Sequence, residues 1–445
     1  ERGKNILYSI SAPGPHSLLV AYAYMKFTRQ QGEWALAHHS CHGDFFKKLY
    51  SLLSDTAGLS EDEWVAGWDY IKVLERQSKS VFKMEEKVKY DVALFGFVRG
   101  VMEKLLENRY IAKFGENNLP SDLLECGIFR SLLLAANSFV GKDGEAIKIL
   151  AGYPWFTNAW GRDTFISLVG ILVATGEFEK AREVLRYFAK HCKNGLIPNY
   201  INPDGSAAYN SIDASLWFIE ALYKYYVSTK DKQFILQMQP VIKEILNAYT
   251  KGTDYDIRRD KDGLIIMPQA QLTWMDAAPG GVNPVTPRNG KAVEIQALYY
   301  NAQKILSEFA SLFGNKEETE KWGGLAEETK GGIRQKLWNT RVNYPFDIIE
   351  GDPHSEAIRP NALLLISLSH NHDLLSLKQK ERILGVVNKE LLTPYGLRTL
   401  SPEDAKYKGE YDTFAPQEIK DQAYHQGTVW PWLMGPYIDA LLNIR

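Results

Sequence analysis

DTFISLVGILVAT, Asp163–Thr175, is the stretch that decides the fold. Apolar residues fall on every side of the helix it would form, so a helix here must be enclosed by other helices. Just beyond it Phe178, Ala181, Leu185 and Phe188 repeat at helical spacing with Glu and Lys between them, the pattern of a helix with one wet face. The two kinds alternate along the chain. Enclosed helices are expected near 163–175, 211–228, 291–313, 359–369 and 426–443, and amphipathic ones near 122–139, 178–191, 233–250, 317–338 and 375–390.

The connections alternate as well. From an enclosed helix to the next amphipathic one the link is short: GE, TKDK, GNK, HNHD. The return links are long, at 192–210, 251–290, 340–358 and 391–425. Helix–helix links usually run about two to eight residues, and longer ones tend to carry function. Antiparallel hairpins with this asymmetry gather every long link at one end. The expectation is an all-α fold, an (α/α)6 toroid of inner and outer helices, with its site at the N-terminal ends of the inner ones. Six hairpins need twelve helices, and about ten are counted before the chain stops, so the toroid is expected to lack its last helices. Residues 1–115 read as a short mixed α/β region, the remnant of a preceding domain, with strand-like NILYSI and HSLLVAYAYMKF and a capping box at SEDEW, Ser60–Trp64. The helical domain is placed at 116–445.

Composition narrows the function. The chain has 445 residues, 45% hydrophobic and 24% charged with net charge -2, which leaves no electrostatic footprint for nucleic acid or a membrane surface. No apolar run is long enough to span a bilayer and no signal peptide is present. Cys41, Cys126 and Cys192 are scattered, form no metal-ligand spacing and suit a reducing, cytoplasmic compartment. The first residues, ERGKNILYSI, lack Met, as in a processed or trimmed piece. Phosphate-binding, dinucleotide, zinc-hydrolase and serine-hydrolase fingerprints are all missing, so no cofactor and no metal are expected.

What the long links do hold is carboxylates, aromatics and Arg, Gln and His. Trp155, Phe156 and Trp160 crowd before Arg162 and Asp163, at the mouth of the first enclosed helix. Asp276 follows Trp274 and Met275 in a Gly/Pro-rich link. Apolar neighbours raise a carboxyl pKa, as a general acid requires, although a turn residue bonding its own backbone fits equally well. Lys291 and Glu294 open the third enclosed helix, where Glu294 either faces the helix dipole or meets a sugar hydroxyl. EGDPHSEAIRPN, Glu350–Asn361, carries three carboxylates that solubility alone explains. His425, Gln426 and Trp430, beside Tyr424, form a further polar and aromatic group suited to a ring-binding wall. Carboxylates with aromatics suit glycoside hydrolysis, which needs two carboxyl groups about the scissile bond.

AGYPWF…WGRDTFI, LIPNYI, TWMDA, TPRNGKAVEIQALYYNA, TPYGLRTLSPED and YHQGTVWPWLMGPY, in that order, resemble the C-terminal amylo-α-1,6-glucosidase domain of glycogen debranching enzymes, from about Ser121 to Arg445. That module is similar in architecture to glucoamylases and trehalases. The resemblance implies inverting hydrolysis of the α-1,6-linked glucose at branch points of glycogen or a branched α-glucan oligosaccharide. It implies Asp276 as general acid, Arg162 and Asp163 as the clamp on sugar hydroxyls, and Trp155, Phe156 and Trp160 as the floor beneath the ring. It also implies a base in a late Ser-Glu-Ile-type stretch, expected beyond Arg445 and leaving this piece incomplete or inactive, with Glu350 or Glu294 as stand-ins. A 4-α-glucanotransferase domain or protein is expected elsewhere. A trehalase-like or α-1,4-exo-acting relative, and a non-catalytic glucan-binding module, remain as alternatives.

Overall fold

In the computed structural model of the protein the described residues are 132, 135–136, 139–143, 146–152, 158–281, 283–351, 356–412 and 414–444. The expectations for residues 1–115, for nearly all of the helix at 122–139, and for Trp155 and Phe156 lie outside them. The chain divides into two compact units, Glu1–Ala159 with Gly170–Glu177, and Trp160–Val169 with Phe178–Arg445. In the first unit, Val140–Asp143 and Ala146–Ile149 pair as an antiparallel hairpin.

The second unit is mostly α-helical and holds every residue discussed below. Its helices are α1 (Gly161–Leu168), α2 (Phe178–Lys190), α3 (Ala214–Thr229), α4 (Lys232–Lys251) and α5 (Val293–Leu312). They continue with α6 (Lys316–Lys336), α7 (Leu364–Ser367), α8 (Leu377–Val386), α9 (Gln417–Tyr424) and α10 (Met434–Leu442). Small two- and three-stranded sheets lie in the links between them.

The alternation of enclosed and half-wet helices is present in the burial of α2 to α5, whereas α10, expected to be enclosed, buries only Tyr437 and Ala440 and exposes Ile438 and Leu442. α2 buries one stripe, Ala181, Val184, Leu185, Phe188 and Ala189, and α4 buries Phe234, Ile235, Met238, Ile242, Ile245, Leu246 and Tyr249. α5 is buried without interruption from Val293 to Gln303. Each fully buried Leu, Ile or Phe on such a helix contributes about 1.5–3 kcal/mol of transfer free energy before chain entropy opposes it. The helices expected to be enclosed also pack on one another in chain order, α1 on α3, α3 on α5, α5 on α7 and α7 on α10. α6 lies against α5 as its hairpin partner. Side-chain caps start the wet helices: Asp231 accepts from the Phe234 N–H, Asn315 from Glu318, and Ser376 forms a capping box with Gln379.

Two expected boundaries are corrected. The helix expected over 359–369 is a 3-10 turn, Pro360–Leu363, followed by the single α turn of α7, because extended Leu368 ends it. The helix expected from 426 begins with the 3-10 turn Pro431–Leu433. Val429–Trp430 before it are extended and pair with Leu397 and Arg398. Proline supplies no N–H and so suits the first turn of each. The link at 391–425 also contains a helix, α9, that periodicity did not reveal. No helix among the described residues is long and apolar enough to cross a membrane.

Candidate active site

The starts of α1, α3, α5, α7 and α10, and the links that precede them, converge through side-chain contacts. At α1 the requirement for glycine is steric. Gly161 N–H donates to the Asn199 carbonyl at 2.7 Å, and a Cβ at Gly161 would meet the Pro198 oxygen at 2.2 Å. Only a residue without a side chain lets LIPNYI lie across the helix start, with Tyr200 against Trp160 at a ring separation of 4.9 Å.

Arg162, the next residue, is buried between two carboxylates. Its Nε donates to Asp213 Oδ2 at 2.7 Å and its Nη1 to Asp276 Oδ2 at 3.3 Å. The remaining nitrogen, Nη2, is buried and has no hydrogen-bond partner among the described residues. Asp213 is 1% exposed at the start of α3, and its other oxygen accepts from Ser211 Oγ at 2.7 Å. Ser211 Oγ in turn accepts from the Ala214 N–H, so Asp213 is held from both sides. The sequence reading did not single out Asp213. Its signal was SIDAS, Ser211–Ser215, a Ser-x-Asp opening an enclosed helix.

Asp276 lies in the link between α4 and α5, where Gln271 Nε2 donates to its carbonyl at 3.1 Å. A third of its side chain remains exposed, yet its carboxyl is pushed up to about 6. Burial is the main cause; the Arg162 charge opposes it and the Asp213 charge reinforces it. Asp163 is also raised, by burial first, against the pull of Arg162.

Two residues before Asp276, the buried Trp274 forms the aromatic side. Its ring meets His425 at 5.3 Å, Trp430 at 6.2 Å and Trp432 at 5.1 Å, all edge to face. His425 is buried and held neutral, pushed well down by burial and by the charges of Arg359, Arg162 and Arg288. Its Nδ1 has no hydrogen-bond partner among the described residues.

A polar network fixes Trp274 from behind. Its Nε1 donates to Asn361 Oδ1 at 2.8 Å, and Asn361 Nδ2 donates to Asp347 Oδ1 at 2.8 Å. Arg288 donates to Asp347 through Nε at 2.9 Å and Nη2 at 3.0 Å, and holds both oxygens of Glu294. All of these side chains are buried, so each charge depends on its partners. Arg359 Nη2 donates to Gln426 Oε1 at 2.8 Å, and Arg359 Nη1 donates to the His425 carbonyl at 2.7 Å.

Of the residues expected to face substrate, the structure therefore gathers Arg162, Asp163, Asp276, Trp274, His425 and Trp430. Trp160 sits at the start of α1, and Gln426 is held by Arg359 behind His425. Glu294 is placed in the Arg288 pair. Lys291 is placed in another network, buried with its Nζ 2.7 Å from Asp260, 2.7 Å from Asp262 and 2.6 Å from Glu350. Those three carboxylates are the one grouping with metal-ligand geometry among the described residues, and Lys291 with Lys336 already supplies cations there.

Comparison with known proteins places the chain among the glycoside hydrolases. It belongs to the amylo-alpha-1,6-glucosidase family, which it matches over residues 134–445. It is similar to the glycogen debranching enzyme of Saccharomyces cerevisiae, 24% identical over 508 aligned residues covering 92% of this chain. The match spans 32% of that protein, about a third of its length. Among solved structures, a sialidase matches 51% of this chain and 19% of its own at 19% identity with a TM-score of 0.41, a likeness too loose to carry an argument.

Proposed function

We propose that this chain hydrolyses the α-1,6-linked glucose at branch points of a cytoplasmic α-glucan such as glycogen limit dextrin, with inversion at the anomeric carbon. The observation that carries this reading is the pairing of Asp276 with Arg162: a reachable carboxyl pushed up to about 6 beside a half-committed guanidinium.

Asp276, protonated, gives its proton to the glycosidic oxygen as the bond to the anomeric carbon breaks. Positive charge then develops on the glucosyl ring, and water adds from the opposite face, giving up its proton to a second carboxylate that acts as general base. Arg162 is anchored by Asp213 and directs its free Nη2 at a hydroxyl of the departing glucose, with Asp163 accepting from its neighbour. Trp160, Trp274, His425 and Trp430 supply apolar surface. Asp213 and Glu294 have both oxygens engaged, and Glu350 pairs with Lys291 and Lys336, so none of the three is proposed as the base.

The chain-order packing of α1, α3, α5, α7 and α10 supports a ring of the (α/α)6 kind in the second unit. An inverting pair needs its carboxyls about 6.5–9.5 Å apart. Exposing a single branch glucose calls for a 4-α-glucanotransferase, proposed to lie on another domain or protein.

The test is a branched maltooligosaccharide bearing one α-1,6-linked glucose, with the product anomer followed by proton NMR. Release of β-glucose supports the reading. Release of α-glucose removes inversion, and cleavage of trehalose or linear maltooligosaccharides in preference transfers the chain to a related activity.

A further inference from the structure

An acid that cleaves a branch must hold two pieces, the glucose released and the chain left behind. Arg162 and Asp163 account for the first. For the second, aromatic rings step outward from the acid. Trp274 meets Trp430 at 6.2 Å, Trp430 meets Tyr424 at 4.9 Å, and Tyr424 meets Tyr411 at 6.1 Å. Exposure rises along the same path, from buried Trp274 through half-buried Trp430 and Tyr424 to Tyr411 at 37%.

Tyr424 connects the two ends electrostatically. Its phenol is pushed up to about 12 by burial first, then by Tyr411, Asp276, Asp163 and Asp421. One hydroxyl thus lies within reach of the charges of the candidate acid, of the candidate sugar clamp and of the surface ring.

The loop carrying Tyr411 is fixed to this wall. Lys408 N–H donates to the Gln426 carbonyl at 2.6 Å, and a Cβ at Gly427 would meet the Lys408 oxygen at 2.1 Å. Gly427, at φ +147, is what lets the loop lie this close. The two tyrosines come from different segments, the end of α9 and the loop before it, and meet with their rings tilted at 45° to one another.

We propose that Tyr424 and Tyr411 form the platform for the chain on the leaving side of Asp276, taking successive α-linked glucosyl units on their ring faces. A pyranose offers an apolar C–H face and a polar rim, which matches stepped rings beside carboxylates. Buried core aromatics would not grow more exposed with distance from the carboxyl. This inference rests on the hydrolytic reading above.

The experiment compares the full chain with Tyr411→Ala and Tyr411→Phe on two substrates, a branched maltooligosaccharide and α-glucosyl fluoride, which has no leaving chain. In Tyr411→Ala the ratio of kcat/KM for the first to that for the second falls about three- to tenfold, the scale of one aromatic contact, and Tyr411→Phe restores it. Equal losses on both substrates, or no loss on either, overturn the platform. Should the unaltered chain release no glucose, the hydrolytic reading fails separately. Calorimetric binding of the same oligosaccharide to Asp276→Asn, with and without Tyr411→Ala, still tests the platform, and unchanged affinity contradicts it.

Discussion

Arg162 touches Asp276 through one nitrogen at 3.3 Å while Asp213 holds another at 2.7 Å. The guanidinium is thus anchored more tightly by the carboxylate that is fully buried than by the one that is reachable. The arrangement divides the labour of two carboxylates by environment, one buried as an anchor for the guanidinium and one raised toward neutrality.

The pH dependence follows from that division. An acid must be protonated, so activity falls as pH rises through about 6, the value to which Asp276 is raised. Arg162 lowers that value, so Arg162→Gln moves the alkaline limb of kcat/KM upward. Asp213 raises it, so Asp213→Asn moves the limb downward. Shifts of about one unit in opposite directions are expected from a pH–rate profile.

Stability changes in the matching sense. A carboxyl whose folded pKa is raised contributes stability that is present below its unfolded value and lost as pH rises through its folded value. For Asp276 the window runs from the ordinary aspartate range to about 6. Asp276→Asn should therefore melt higher than the unaltered chain above this window, and the two should converge below it, in a series of thermal melts against pH.

Asn361→Leu removes the acceptor of the Trp274 N–H and a donor to Asp347 together. Unsatisfied buried groups of this kind cost about 1–3 kcal/mol each, so a loss of roughly 2–6 kcal/mol is expected in urea denaturation. Because Trp274 is two residues from Asp276, kcat/KM on a branched glucan should fall as well.

Arg288→Met leaves Glu294 buried without its cation and Asp347 with Arg359 alone, at 3.6 Å. Breaking such a set by removing one partner costs about 3–5 kcal/mol. The double variant Arg288→Met with Glu294→Gln should be less destabilised than the sum of the single changes, measured by a double-mutant cycle.

The helical architecture was legible because burial imposes periodicity on neighbouring residues. α2 and α4 carry one apolar stripe, while α3 is apolar on most sides and α5 begins with a nearly continuous buried run, and both patterns can be read within a few turns of chain. Asp276, Arg162 and Asp163 stood out because aromatics surround them locally. Asp213, Arg288 and Asn361 did not, since what gives each its place is a partner far along the chain: Asp213 meets Arg162 across 51 residues, Arg288 meets Asp347 across 59 and Asn361 meets Trp274 across 87. Glu294 and Lys291 show the converse. Their positions at a helix start suggested sugar contacts, and their buried partners came from links that spacing does not pair.

The most direct measurement is the hydrolysis of two substrates by Asp276→Asn. A glucan branch has a poor leaving group that needs a proton, whereas fluoride leaves from α-glucosyl fluoride without one. The account predicts a loss of about 100- to 10,000-fold on the branched glucan with hydrolysis of the fluoride largely retained. Undiminished release of glucose from the branched glucan would contradict it.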